Sequence, residues 1–385
     1  MFSAGRIPLS WLNLVHNPAR LATSLLGVAF AVLLMFMFTG FKNALYDSQV
    51  DLIQKLNADL MIISTARSRM AAPATFSRQR LYQAQNFKDV AAAYPLYIQL
   101  AEWRNPVTKS IRTVRILSFN LSDPVLALPD VQTQVNQLRL ADTVLIDRRS
   151  RPEVGSPQAG VITELADQRV KVVGSFELGT DFSSADGNLI SSDQTFFKLL
   201  GQTRPGNWDA VDIGLIQVVP VTDINALTAG LRQSLPDDVL VLTKAELTQR
   251  ERDYWQNNTN VGFVFTLLTG MGFIVGVVLV YQILYTDVAD HWAEYATLKA
   301  MGYTNRYLFG VIAQESLILS ALGFIPGFGA SVLLYHLAIN ATGLLFNLTA
   351  GRVFSQFLLT LIMCLISGAI AIRKIQSTDP AEVFG

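Results

Sequence analysis

VGFVFTLLTGMGFIVGVVLVYQILYTDVADHWAEYATLKAMGYTNRYLF runs from Val261 to Phe309. From Val261 to Tyr285 it carries no charged side chain. That length covers the ~20 residues needed to cross a bilayer core. The stretch from Asp290 to Phe309 is different, being charged and amphipathic. Apolar sequence resumes at about Tyr307 and continues to Leu337. A span, a short polar segment and another span read as a helical membrane protein with something built into the turn between two spans.

Two further apolar runs lie outside this stretch, Leu21 to Phe41 and Phe354 to Ile372. The third run exceeds ~25 residues, and Gly323, Pro326, Gly327 and Gly329 predict a kink in its middle. The first run is too long and starts too late for a cleavable signal, and no small-x-small site follows it. The chain is 51% hydrophobic and 16% charged, a modest excess for 385 residues. A few spans plus a sizeable polar part fit that balance. The polar part is residues 42–260, with 23 basic and 24 acidic side chains.

Basic residues near the span ends set the expected orientation. Arg6 and Arg20 precede span one, Lys299 and Arg306 separate spans two and three, and Arg373 and Lys374 follow span four. The loop between spans three and four carries only Arg352. Both termini and the Asp290 segment are therefore expected in the cytoplasm, with residues 42–260 on the other side.

Local patterns subdivide the chain further. Ile7, Trp11, Leu14 and Val15 share one helical face, which predicts an interfacial helix before span one. FKNALYDSQVDLIQKLN (41–57) and AELTQRERDYWQNNTN (245–260) are helix-compatible. Spans one and two are therefore expected to continue as stalk helices, with 246–285 as one helix of about 60 Å. Short apolar or alternating runs predict strands at 59–64, 92–103, 169–178 (in a hairpin after VITEL), 210–219 and 238–243, with a helix over 222–235. The expected fold class is an α-helical membrane protein with four transmembrane helices and a large α+β domain between helices 1 and 2. In that domain the two ends form a small α+β module and a β-rich insertion lies between them. The expected order is 1–20 amphipathic helix, 21–41 span one, 42–260 inserted domain, 261–285 span two and 286–306 cytoplasmic segment. Then follow 307–337 span three, 338–353 loop, 354–372 span four and 373–385 tail.

The chemistry-bearing motifs are few. No phosphate loop, HExxH or GxSxG occurs, and Cys364 is the sole cysteine. His16, His291 and His336 are far apart. Neither covalent catalysis nor a resident metal or cofactor is expected, and zero net charge gives no footprint for nucleic acid. Glu315 is the main ionisable residue within a span, and it is expected to be functional or to bond neighbouring helices. Gly272 and Gly276 form GxxxG, which fits either a dimer face or packing inside one chain.

The order of leader, span, about 200 inserted residues and three spans resembles the FtsX-like/MacB-type permease family of ABC transporters. AEYATLKAMGYTNRYLFGVIAQESLI is similar to the family signature after span two, with Glu294, Lys299, Gly302 and Glu315 at its positions. DPAEVFG (Asp379 to Gly385) resembles the family's DPAEAL ending. IPLSWLNL, GVAFAVLLMFMFTGFKNALYDS and RVKVVGSFELGTDFSSADGNLISSDQTFF are similar to the cyanobacterial DevC-type branch. The resemblance implies a MacB-like layout in a cyanobacterial inner membrane, without the ATPase domain fused in MacB. A separate DevA-type ATPase would then bind ATP and magnesium. The implied partners are that ATPase, a DevB-type membrane fusion protein, a TolC-like outer-membrane channel, membrane lipid and a second copy of the chain. The prototype exports envelope glycolipid. In such a complex the segment between spans two and three inserts into the ATPase. Trp292, Tyr295, Leu298 and Met301 would anchor it, and Asp290, Glu294 and Lys299 would set its register. Gly302 would end its helix. Two alternatives stay open: a Lol-type exporter that extracts lipid or lipoprotein from the bilayer, and a non-transporting FtsX-like regulator of a cell-wall hydrolase.

Overall fold

The computed structural model describes residues 18–156, 158–181, 184–201, 207–291, 294, 297, 301–342, 344 and 346–376. The expected leader helix and the DPAEVFG ending lie outside them. The chain divides into two compact units. One comprises 1–43, 263–338 and 346–385, and the other 44–262 and 339–345.

Helix α1 (Pro18–Lys55) is 38 residues long, about 57 Å at 1.5 Å per residue. It leads into the inserted domain. There β1 (Leu60–Ser64), β2 (Phe76–Ser77) and α2 (Gln79–Gln85) precede the long β3 (Val90–Arg104) and β4 (Ile111–Phe119). Next come α3 (Pro129–Gln134), β5 (Thr143–Asp147), β6 (Ile162–Leu165), β7 (Gln168–Phe176), β8 (Gly187–Ser192) and α4 (Asp193–Leu200). The domain closes with β9 (Ala210–Val211), β10 (Ile213–Val218), α5 (Ile224–Ser234), β11 (Val239–Thr243) and α6 (Lys244–Asn257).

Nine of these strands form one sheet in the order β11-β1-β10-β3-β4-β8-β5-β7-β6. The expected end module is present as β11, β1 and β10, and the expected hairpin as β6 and β7. The separate insertion is not. β3 joins both halves, since its residues up to Leu96 pair with β10 and those from Tyr97 pair with β4. A 15-residue strand is long enough to serve two neighbours in succession.

The period-2 alternation of β1 explains the layers. Leu60 and Ile62 enter one apolar cluster, with Leu81 of α2, Phe196 of α4 and Leu231 of α5. Met61 and Ile63 enter the opposite cluster, with Ile53 and Leu56 of α1, Val131 of α3 and Leu247 of α6. Both faces of the sheet are therefore covered by helices. Each fully buried Leu or Ile contributes about 1.5–3 kcal/mol relative to exposure.

Three buried charged groups inside this domain are held by specific partners. Arg67 and Asp212 are each 2% exposed and meet at 2.7 Å. Arg67 also donates to the carbonyls of Met70 and Ala74, and Asp212 accepts from the Ile98 amide. Glu251 of α6 accepts from the Met70 amide at 2.8 Å and from Trp255 Nε1 at 3.0 Å. Burial nevertheless holds its carboxyl above the usual carboxylate range, because the two donors offset only part of the desolvation.

The expected single helix over 246–285 is interrupted. α6 ends at Asn257, and α7 (Asn260–Asp290) begins after Asn258 and Thr259. The sequence NNTN supplies the reason: Asn and Thr side chains compete with helical backbone bonds. Thr259 uses its hydroxyl to bond the Trp255 carbonyl at 2.6 Å.

The other long helices are α8 (Asn305–Thr342) and α9 (Ala350–Gln376). α1, α7, α8 and α9 are each long and apolar enough to cross a membrane. α8 is unbroken through Pro326. Gly323 and Gly327, near that proline, serve helix approach. A Cβ on Gly323 would sit 2.6 Å from Val28, and one on Gly327 would sit 2.7 Å from the Ala29 carbonyl of α1. The Phe36 ring of α1 lies tilted against Phe324 and Phe328 of α8, at 5.8 and 5.6 Å, and Phe324 meets Phe357 of α9 edge-on at 5.2 Å.

Candidate functional site

The turn between α7 and α8 is the first candidate. Helical bonding persists beyond Asp290: the His291 amide donates to Asp287, that of Glu294 to His291, and that of Met301 to Thr297. Gly302 then takes φ +92°, a left-handed conformation that glycine adopts at little cost. Thr304 leads into α8, where its carbonyl accepts from the Tyr307 amide. Asp290, Glu294 and Met301 are exposed, Met301 by 64%. Among its described residues the segment thus presents two acidic side chains and one large apolar one to the surroundings, just before the turn at Gly302. Trp292, Tyr295, Leu298 and Lys299 lie outside the described residues.

The bundle interior is the second candidate. Glu315 is fully buried on α8, beside the equally buried Ser316. The other buried polar groups here are mostly hydroxyls turned back onto helix carbonyls. Ser320 bonds Leu317, Ser331 bonds Gly327 and Thr360 bonds Gln356. Ser367 of α9 bonds Met363 and also reaches the Val277 carbonyl of α7 at 2.9 Å. These hydroxyls are spent on helix carbonyls. Among the described residues no group of His, Cys, Asp and Glu is placed to hold a metal ion.

Gly272 and Gly276 of α7 pack inside the chain. A Cβ at Gly272 would meet Phe38 of α1 at 2.8 Å, and one at Gly276 would meet Met363 of α9 at 2.3 Å. The GxxxG pattern is therefore occupied by internal neighbours. Sequence alone could not separate that use from a dimer face, because the pattern reports only that something approaches closely.

A third feature was not singled out from the sequence. Where the short loop joins α8 to α9, a cavity of about 430 Å³ opens among α1, α8, the loop and the first two turns of α9. Its polar lining includes Thr39, Asn43, Arg352, Ser355 and Gln356. The Tyr335 hydroxyl, also at its wall, donates to the Phe36 carbonyl. That contact depends on Gly40, where any Cβ would collide with the hydroxyl. The hint in the sequence is Arg352, the single basic residue between the third and fourth apolar runs.

Comparison with known proteins adds the following. Residues 266–380 match the family model described as "FtsX-like permease C-terminal". That match covers α8, most of α7, α9 and the turn with Glu294 and Gly302. The periplasmic region of MacB from Actinobacillus actinomycetemcomitans is 12% identical, over 50% of this chain and 92% of that one, with a TM-score of 0.34. The extracellular domain of the noncanonic ABC-type transporter YknZ from Gram-positive bacteria is 11% identical, over 48% of this chain and 99% of that one, with a TM-score of 0.33. No curated protein matches the chain.

Proposed function

We propose that this chain, whose residues 266–380 match the FtsX-like permease C-terminal model, is the membrane subunit of a tripartite, ATP-driven ABC exporter of the FtsX/MacB type. A separate ATPase, of the DevA type, supplies the nucleotide chemistry. A DevB-type adaptor and a TolC-like channel continue the path outward. Two copies of the chain work together with both termini in the cytoplasm of a cyanobacterial inner membrane. Export of an envelope lipid or glycolipid is the reading for the substrate.

The mechanism is mechanotransmission. ATP-driven closure of the ATPases moves the segment between α7 and α8. α7 and α1 carry the displacement, and the inserted α+β domain changes the space it shares with the adaptor. The observation that carries this reading is the exposed, glycine-terminated segment between two spans, within the stretch that matches the family model. Asp290, Trp292, Glu294, Tyr295, Leu298, Lys299, Met301 and Gly302 are its contact residues. A packed bundle whose hydroxyls bond its own helices agrees with a mover of other parts rather than with a channel for polar solutes.

The test is purification of the tagged chain from its native membrane with identification of what accompanies it. An ATPase and a periplasmic adaptor are expected, and Glu294→Lys should lose the ATPase and keep the adaptor. A cell-wall hydrolase in place of the adaptor would overturn the exporter reading. Retention of the ATPase by the variant would remove Glu294 from the contact.

A further inference from the structure

Going down α9, the cavity at the α8–α9 loop is lined by Arg352, Ser355 and Gln356 at its upper end and by Leu359 at its lower one. At the upper end Gln356 is only 4% exposed, yet its Nε2 has no hydrogen-bond partner. Its Oε1 lies 3.5 Å from the Thr39 hydroxyl of α1, whose proton goes to the Met35 carbonyl at 2.6 Å. A buried amide nitrogen without an acceptor costs about 1–3 kcal/mol. Such a group in a cavity wall calls for a ligand that brings an acceptor. Arg352 stands one helical turn away, with Nη1 donating to the Asn347 carbonyl at 3.0 Å, so its charge is fixed at the rim. Both residues belong to the first turns of the 27-residue α9, where the helix dipole also favours negative charge. Three independent features thus ask for an anion with several acceptor oxygens.

The lower end specifies what the anion is attached to. Arg352, Ser355 and Leu359 line the cavity and follow one another at three- and four-residue spacing. The same face of α9 continues through Ile362 and Ile366, each 40% exposed. One helical stripe therefore runs from cation and hydroxyl to bare aliphatic surface along a span. A free inorganic anion has no use for that stripe, whereas an acyl chain does.

We propose that this cavity binds the phosphate-bearing headgroup of a bilayer lipid, with Gln356 Nε2 and Arg352 on the phosphate oxygens and an acyl chain along Leu359, Ile362 and Ile366. The assignment needs only that α9 spans the membrane. It stands or falls separately from the export reading, because the binding is measured on this chain alone.

The experiment is native mass spectrometry of the full-length chain in a neutral detergent. It is titrated with phosphatidylglycerol, with diacylglycerol, or with inorganic phosphate as competitor. Arg352→Gln and Gln356→Glu are run beside the unaltered chain. Gln356→Leu is added because it deletes the donor without introducing a charge, and melting curves confirm that each variant is folded. Phosphatidylglycerol should bind the unaltered chain and bind each folded variant about tenfold more weakly, in the range of one lost charge-assisted hydrogen bond. Diacylglycerol should bind far more weakly, and phosphate should compete only poorly. Any of three results overturns the proposal. The folded variants retain phosphatidylglycerol as well as the unaltered chain does. Diacylglycerol binds as well as the phospholipid, so that the tails alone suffice. Phosphatidylglycerol does not bind, or free phosphate displaces it at equal concentration, which would make this an ion site.

Discussion

Two glycines two residues apart on α8 should respond oppositely to the same substitution. Gly327 faces α1: an added Cβ would lie 2.7 Å from the Ala29 carbonyl oxygen and 2.8 Å from Val32 Cβ. The first contact is some 0.7 Å short of the 3.4 Å of ordinary contact, and it is with backbone, which cannot rotate away. Gly327→Ala must therefore push α1 and α8 apart, and overpacking of this kind costs about 1–3 kcal/mol. Gly329 has nothing within 4 Å of its added Cβ. There the substitution only relieves the glycine penalty within a helix, worth about 0.5–1 kcal/mol. Gly327→Ala gains that same term, so the two variants should differ by the overpacking cost of about 1–3 kcal/mol, with Gly329→Ala at or above the unaltered chain. Unfolding of the purified chain by sodium dodecyl sulfate in mixed micelles reads the difference. If both variants moved together, or Gly329→Ala were the worse, the α1–α8 contact at Gly327 would be wrong.

Four further outcomes follow from the same structure. Asp212→Ala strands the buried Arg67 guanidinium and should cost about 3–5 kcal/mol, whereas Arg67→Met with Asp212→Leu should recover most of it; melting temperatures of the full chain decide. Burial raises the Glu251 carboxyl, so its contribution to stability is fully present below the unfolded value of about 4.3 and is lost as pH rises through the folded value. Glu251→Gln should flatten that decline in a melting-temperature profile, and an unchanged profile would refute the assignment. Gly302→Val forces φ +92° on a β-branched residue at a cost of about 1–2 kcal/mol; ATPase stimulation should fall while the melting temperature of the inserted domain holds. Cys364 is fully buried, so a maleimide should label it only after denaturation, and rapid labelling of the native chain would contradict the packing of α9.

Hydropathy alone marked all four spans, because a bilayer demands long uncharged runs and nothing else in the chain supplies them. Alternation marked β7, and short apolar runs marked β1 and β3. Neither marked β4, β5 and β8, whose strands are buried on both faces or paired with partners far along the chain. The helix break at Asn258 was visible as NNTN, yet the helical flanks on either side outweighed it in the reading.

The sequence by itself determined the membrane class, the order of the elements and the polar segment with Glu294 and Gly302, since each of these is a local pattern of solubility or backbone freedom. Tertiary structure decided what the glycines are for and where the cavity lies. Gly272, Gly276, Gly323 and Gly327 look alike as letters, and only their neighbours show that each is filled by another helix of the same chain. The cavity draws on Thr39, Tyr335 and Gln356, with Thr39 and Gln356 317 residues apart. No local pattern can encode such a meeting, because it exists only after three helices have packed.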